Sequence, residues 1–485
     1  MKCRRRRVWR NHTGNVTCSP LLLCRPESLE DLVEIVLRAE ADGTTVRAIG
    51  SGHSWSDAAV TEGYMLEPTG LTHPLELEQG LLRHEAPDGK SWVRVQSGMR
   101  VRELNAHLQQ RGLALQQMGG YDGQTIAGVV TTSTHGSGLG LGPLCDFVTS
   151  LDVVAGGGLV YRIEAADGPT DRASYERRYP DHTLVQDDHW FRAAMVSIGC
   201  MGAIYSLLLE VQDEYQLEEV RTERPWSQVA DDLREGEVFR AHRHYEVYVN
   251  PHRRGGDHTC MVTTRHPTTQ PAKKRPDRRR NSVPEFLASL RVLPSIIDFV
   301  VGRWPSLSPW LLDRGLTALA DKRYVSDSYK VFNIGTANLL PAFSAEIAVP
   351  VDEQASHVQA MERVLEVAEQ HRRLGDVFHT APIALRFVAP SPAYLSMMEG
   401  RPTMMMELIQ LKRTEGGMEL LAAYEEALKP FAARPHWGQI QSLFGGRAQL
   451  ATLYPHLEEW LEVRNQLDPR GTFAGALSRR LQIQE

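Results

Sequence analysis

The chain lacks any surplus of positive charge: 54 lysines and arginines stand against 60 aspartates and glutamates, a formal charge of −6 over 485 residues. A nucleic-acid partner, which calls for a basic surface, is therefore not expected. Cysteine is scarce. Cys3, Cys18, Cys24, Cys145, Cys200 and Cys260 form no CxxC pair and no zinc-ligand spacing, so no metal site is expected. They read as reduced thiols packed as small apolar residues in a cytoplasmic protein. Long apolar runs are missing too. The basic opening MKCRRRRVWRN is not followed by an adequate apolar stretch before the charged residues 27–34, and no secretion is expected. The most apolar segment, FLASLRVLPSIIDFVVGR at 286–303, is interrupted by Arg291, Pro294 and Asp298, which excludes a span of about 20 apolar residues. A helical apolar face seated on the protein is expected there, with a peripheral membrane contact as the alternative. The run PAKKRPDRRRN just before it reads as a mobile surface loop. No internal repeat is found.

With 42% hydrophobic residues over this length, the chain can bury at least two cores, and two domains are expected. Ser28 is placed to cap a helix with Glu30 and Asp31 in its first turn. Leu29, Leu32, Val33, Ile35, Val36 and Leu37 give it an apolar face, and Gly43 ends it. The strand after it, Thr45 to Ile49, delivers the loop GSGHSWSDAAV, in which Gly50, Ser51, Gly52, His53 and Ser54 follow one another. Gly50 and Gly52 let backbone amides approach a phosphate or a planar ring, and His53 points at whatever sits there. A second loop, GGYDGQTIAGVVTTSTHGSGLGLG at 119–142, builds no core. Its free amides and its hydroxyls, including Thr131, Thr132, Ser133, Thr134 and Ser137, suit a pyrophosphate. GSGLGLG is no nicotinamide fingerprint, since no strand–turn–helix unit surrounds it and Pro143 follows at once.

Together these loops resemble the FAD-binding domain of the vanillyl-alcohol-oxidase superfamily, in its sugar-lactone and alditol oxidase branch. The resemblance runs nearly end to end: GSGHSWSDAAVTEG, TTSTHGSG, SIGCMGAI at 197–204, RPHWG at 434–438, then YP and RNQLDPRGTF. It implies an α+β fold, with a two-subdomain FAD-binding domain at 14–215 and an α+β substrate cap at 216–433 that carries a basic insertion near 266–325. A tail at 434–485 would return to the FAD domain. It also implies FAD held covalently through His53, with cofactor contacts from Gly50, Ser51, Gly52, Ser54, Gly119, Gly120, Thr125, Gly128, Thr132, Thr134, His135, Gly136, Ser137, Gly138 and Ile204. His135 is expected to order its loop, and Met118 and Trp437 to pack near the ring system or in the core.

Three strand-like segments of the cap set the chemistry. Alternation in AFSAEIAVP puts Ser344 and Glu346 on one face; in PIALRFVAP, Ala384 and Arg386; in MMMELIQLKR, Glu407 with Met405 and Ile409. The resembled family carries Glu-x-Arg on the second strand and a lysine after HWG. This chain has Ala384 and Gln439 there, and only Arg386 survives. The implied reaction moves a hydride from a CH–OH carbon of a sugar lactone, polyol or related alcohol to flavin N5. Arg386 suits the stabilisation of an alkoxide or of reduced flavin, with a structural ion pair as the alternative. For the proton, Glu407 is nominated as a relocated base, and Glu346 and His436 are the other candidates. Ser344, Arg386 and Gln439 are expected to bind substrate. A glycine at position 119 implies access of molecular oxygen and release of hydrogen peroxide. The alternative is a diverged flavin oxidase acting on a larger or less hydroxylated molecule, consistent with Ala384 and Gln439.

Overall fold

The computed structural model describes residues 2–5, 8–272, 293–334, 341–375, 377–443 and 445–484. Most of the basic run after Ala272, and the first part of the apolar segment at 286–303, lie outside these residues. Mixed helix and strand form three sheets and a short two-stranded ribbon, Trp9–Arg10 with Thr17–Cys18.

The first sheet holds β1 (Lys2–Arg4), β2 (Leu22–Arg25), β3 (Val46–Ala48) and β4 (Tyr64–Leu66) in the order β1-β2-β4-β3. Helix α1 (Leu29–Ala41) packs on it, and the Ser28 hydroxyl accepts the Asp31 N–H as its sequence foretold. Leu32, Ile35 and Val36 are buried, but Leu37 faces out and touches only the turn at Gly158. The thiol expectation needs correction at one pair. Antiparallel pairing sets Cys3 opposite Cys24 with their Cα atoms 4.1 Å apart, and the two form a disulfide. No local spacing signals a contact made across 21 residues by strand register. Cys145, Cys200 and Cys260 are buried free thiols.

The second sheet holds β5 (Lys90–Gln96), β6 (Val148–Val154), β7 (Val160–Glu164), β8 (His182–Gln186) and β9 (Ala203–Asp213) in the order β8-β7-β6-β9-β5, edged by Pro74–Leu75. Helices α2 (Val101–Gln109) and α3 (Ile126–Thr131) lie beside it. A buried arginine joins the two sheets to the C-terminus. Arg47 on β3 donates to the carbonyls of Ala58, Gly199, Ile198 and Phe473 at 2.5–3.1 Å. One guanidinium thereby staples the first glycine loop, the SIGCMGAI segment and the closing RGTF turn, and its five donors leave little choice of geometry.

The third sheet, in the region expected to form the cap, has eight strands: β10 (Gln216–Pro225), β11 (His244–Arg254), β12 (Asp257–Thr268), β13 (Lys322–Asp327), β14 (Ala342–Pro350), β15 (Ile383–Val388), β16 (Thr403–Leu411) and β17 (Arg434–Pro435). Their order is β13-β10-β12-β11-β15-β16-β14-β17. Helices α4 (Ser356–Gly375) and α5 (Gly417–Leu428) pack on one side. The three segments singled out for their alternation are β14, β15 and β16, and they are neighbours. After β17 the chain returns to the part that holds the first two sheets: Trp460 donates to the Val196 carbonyl at 3.1 Å, and Val46 N–H to that of Thr472 at 2.7 Å.

Candidate active site

Cross-strand register decides which side chains meet. Glu346 on β14 lies opposite Glu407 on β16, Glu407 opposite Ala384 on β15, and Ala384 opposite Tyr248 on β11. Arg386 pairs with Glu246 one step along. Residues paired across a sheet share a face, so the carboxylates and the arginine look the same way. Arg386 Nε is 2.9 Å from Glu246 Oε1; its Nη1 is 2.8 Å from Glu407 Oε2 and 3.5 Å from Glu346 Oε1. Glu246 in turn holds Arg265 Nη2 at 3.0 Å, and Arg265 Nε holds Glu219 at 2.7 Å.

These charges are out of water, and their neighbours set the proton affinities. Burial raises the Glu407 carboxyl, Arg386 opposes this, and Glu346 raises it further; the outcome is a carboxyl above the ordinary range. Burial also pushes Glu346 up, but His135, His436 and Arg386 bring it down to about 2. Glu246 falls as well, because Arg265 and Arg386 outweigh its burial. His436 drops to about 4 through burial.

His135, Glu346 and His436 bring ligand-capable atoms within 4.8 Å of one another. The hydrogen bonds argue against a cation there. Gly438 N–H donates to His436 Nδ1 at 3.0 Å, so the neutral ring carries its proton on Nε2 and has no lone pair to offer.

The glycine loops face the cap. His53 lies between two rings, stacked on His12 at 4.0 Å and on Tyr121 at 4.4 Å between centroids, with Trp55 edge-on at 5.3 Å. Burial, helped by His12, lowers His53 to about 3, which keeps the ring neutral and nucleophilic at neutral pH. The loop is tied to the RPHWG segment: Trp55 N–H donates to the Gly438 carbonyl at 2.8 Å, and the Ser56 hydroxyl to that of Trp437 at 2.7 Å. A cavity of about 510 Å³ opens beside it, lined by Gly50, Ser51, Gly52 and Thr125 and also by Trp9, Asn11 and Arg100.

The cavity suits a cofactor. A Cβ on Gly50 would lie 2.5 Å from Thr125 Oγ1, so the loop can approach the start of α3 only as glycine. Thr125 Oγ1 and the nearby Ser97 Oγ are buried without partners, as an absent polar ligand would leave them.

Family comparison agrees. Residues 207–481 match the family model described as D-arabinono-1,4-lactone oxidase, and residues 20–164 match the FAD binding domain. The chain belongs to the D-arabinono-1,4-lactone oxidase family. It is an FAD-dependent oxidoreductase of that family. The L-gulono-1,4-lactone dehydrogenase of Mycobacterium tuberculosis is 30% identical over 98% of this chain and 99% of its own length. The L-gulonolactone oxidase of Bos taurus is 22% identical, with 96% of each chain covered. Among solved structures, a solvent-stable cholesterol oxidase shares the fold, with a TM-score of 0.75 at 15% identity and coverage of 98% and 97%.

In this member of the D-arabinono-1,4-lactone oxidase family, several of the expected cofactor residues also make contacts within the chain. Ser137 donates to the Tyr245 carbonyl and accepts Phe387 N–H at 3.3 Å, and Gly138 N–H donates to Phe387 O at 2.5 Å. This corrects the phosphate reading of Ser137: its hydroxyl and the backbone of Gly138 stitch the cap to the cofactor-binding half. At Gly136 a Cβ would lie 2.9 Å from the Met118 carbonyl oxygen, a backbone atom that cannot easily give way. Thr132 Oγ1 bonds the Gly128 carbonyl at 2.9 Å and lies 3.3 Å from Thr134 Oγ1, at the end of α3. Ser54 uses its carbonyl to hold Asn11 at 2.9 Å, and Ile204 is half-buried on β9 opposite Val153. Trp437 belongs to the core, donating to the Leu395 carbonyl at 2.6 Å.

Met118, Gly120, Glu246, Ile334 and Arg386 line a second, much smaller cavity, which places the second loop's start directly against the arginine. Ser344 Oγ and Gln439 Oε1 are buried without partners in the described structure. Glu246 was missed in the sequence, although HYEVYV alternates as clearly as the segments that were read and sets Glu246 and Tyr248 on one face. Tyr121 and His12 carried no comparable signal.

Proposed function

We propose that the protein oxidises a CH–OH carbon of a sugar lactone, polyol or related alcohol, with FAD bound covalently to His53 and molecular oxygen as the final acceptor. The observation that carries this reading is the position of Glu407: directly across from Ala384 and 2.8 Å from Arg386. The carboxylate lost from the family's Glu-x-Arg pair is present on the neighbouring strand, so the chemistry around Arg386 is retained. This favours a hydroxylated substrate over the less polar alternative.

FAD, when bound, supplies the hydride acceptor at N5 and passes the electrons to oxygen as hydrogen peroxide. The chain's own residues do the rest. Arg386, a permanent cation in a dry site, orients the substrate hydroxyl and stabilises its developing alkoxide. Glu407, raised by burial, takes the hydroxyl proton at a carboxylate oxygen. Glu246 and Glu346 hold the guanidinium in place. The unpartnered Ser344 Oγ and Gln439 Oε1 bind the substrate's further hydroxyls. Residues 14–215 bind the cofactor, 216–433 form the substrate cap, and 434–485 return to the FAD domain.

The test has two arms. Protein denatured in acid should keep its yellow colour on the polypeptide, and His53→Ala should release it. A panel of lactones and polyols should yield peroxide; colour that no member of the panel bleaches would overturn the enzymatic reading.

A further inference from the structure

Eleven large apolar side chains are exposed among the described residues, and five of them fall within fifteen residues: Ile296, Phe299, Trp304, Leu307 and Trp310, each between 41% and 57% exposed. Ile296 and Phe299 lie on the helix Leu293–Arg303, Trp304 and Leu307 at the start and end of the turn that follows it, and Trp310 on the helix Ser308–Leu319. Clustering on this scale, with two tryptophans, is unusual for a surface that faces only water.

The charges of the same segment are sorted by sign. Both its carboxylates point inward. Asp298 is buried against Arg413 at 3.2 Å, and Asp313 is buried against Arg254 and the Thr259 hydroxyl. Both its arginines, Arg303 and Arg314, are exposed. Arg303 lies 5.5 Å from the centroid of Trp304, and Arg413, also largely exposed, 5.7 Å from that of Phe299. Within the segment Leu293–Leu319 of a protein of net charge −6, the exposed charges are thus the two arginines, set among exposed aromatic and aliphatic side chains. Neither helix is long and apolar enough to cross a bilayer.

We propose that this face rests on the surface of an anionic lipid bilayer, with the tryptophans at headgroup depth and the arginines on lipid phosphates. Tryptophan suits that depth because its ring is apolar and its N–H polar. Exposed arginines whose own helices turn both carboxylates inward fit a negative leaflet better than a protein surface of mixed sign. A second copy of the chain would bring the same positive face against itself.

The full-length protein is sedimented with phosphatidylcholine vesicles and with vesicles that also contain phosphatidylglycerol, at low and high salt. Wild type should pellet with the anionic vesicles, weakly with the neutral ones, and less as salt rises. Trp304→Ala with Trp310→Ala should reduce pelleting on both vesicle types. Arg303→Gln with Arg314→Gln should cost about fivefold in partitioning for each arginine, on anionic vesicles only. Flavin content checks that each variant folds, and the lipid and salt dependence of wild type stands without them. Failure of wild type to pellet with anionic vesicles would overturn the proposal. So would variants that pellet as well as wild type, or a dimer that the tryptophan variant dissociates while no vesicle is bound.

Discussion

Nε2 of His135 lies 3.3 Å from Oε1 of Glu346, with both side chains buried. The other ring nitrogen, Nδ1, is 2.9 Å from the Gly136 carbonyl, which can only accept, so Nδ1 carries a hydrogen. Nε2 therefore faces the carboxylate, and this contact links the second glycine loop to β14.

Acid should test this contact. The folded-state value of Glu346 lies below its unfolded one, so its contribution to stability is present above the ordinary value of 4.5 and is lost as pH falls toward about 2. Thermal unfolding of wild type should weaken steeply across that window. Glu346→Gln, which cannot titrate there, should show a shallower slope.

Glu407 carries the opposite sign. Its folded-state value is raised, so its ionisation costs stability as pH rises above the ordinary carboxylate range. Glu407→Gln should therefore melt at or above the wild-type temperature at neutral pH, while kcat falls by about 10² to 10⁴. A variant that loses stability and keeps turnover would assign Glu407 a structural role.

Exchange of strands should be possible for the carboxylate. Ala384→Glu alone adds a like charge beside Glu407 and should lower activity. Combined with Glu407→Ala, it restores one carboxylate next to Arg386 and should recover much of what either change loses, as steady-state kinetics on one lactone would show.

Glu246 bridges two buried guanidiniums, Arg386 and Arg265. Glu246→Ala leaves both facing each other without their shared partner, and should cost about 3–5 kcal/mol in urea unfolding. Glu246→Gln should cost less and should mainly raise KM, because Arg386 loses its orientation.

Gly119 can be probed gently. A Cβ there would lie 3.3 Å from Thr134 Cγ2 and 3.4 Å from the His135 carbonyl, contacts that a shift of a few tenths of an ångström relieves. Gly119→Ala should fold and bind FAD normally. Stopped-flow mixing of its reduced form with oxygen should show slower reoxidation if this position guards oxygen access.

Alternation along β14, β15 and β16 was legible because a strand with one buried face repeats every two residues. It placed Glu346, Arg386 and Glu407 on defined faces, and the capped helix α1 followed in the same way from Ser28 and its acidic first turn. What alternation cannot give is the partner strand. Glu246 reaches Arg386 across 140 residues, and Cys3 meets Cys24 only because β1 runs antiparallel to β2. Ser137 shows the same limit from the other side: a hydroxyl in a glycine-rich loop suits phosphate equally well, until the cap strand that captures it is in place.

The amino-acid order by itself determined the local matters: which segments turn, which alternate, and where glycines allow a backbone to come close. It also placed a histidine in the first such loop. Only the tertiary structure decided that His135 meets Glu346, which carboxylates surround Arg386, and that His53 is held between His12 and Tyr121. The reason is physical. Periodicity and turn chemistry act over a few residues, whereas ion pairing and burial depend on register between strands far apart in the chain.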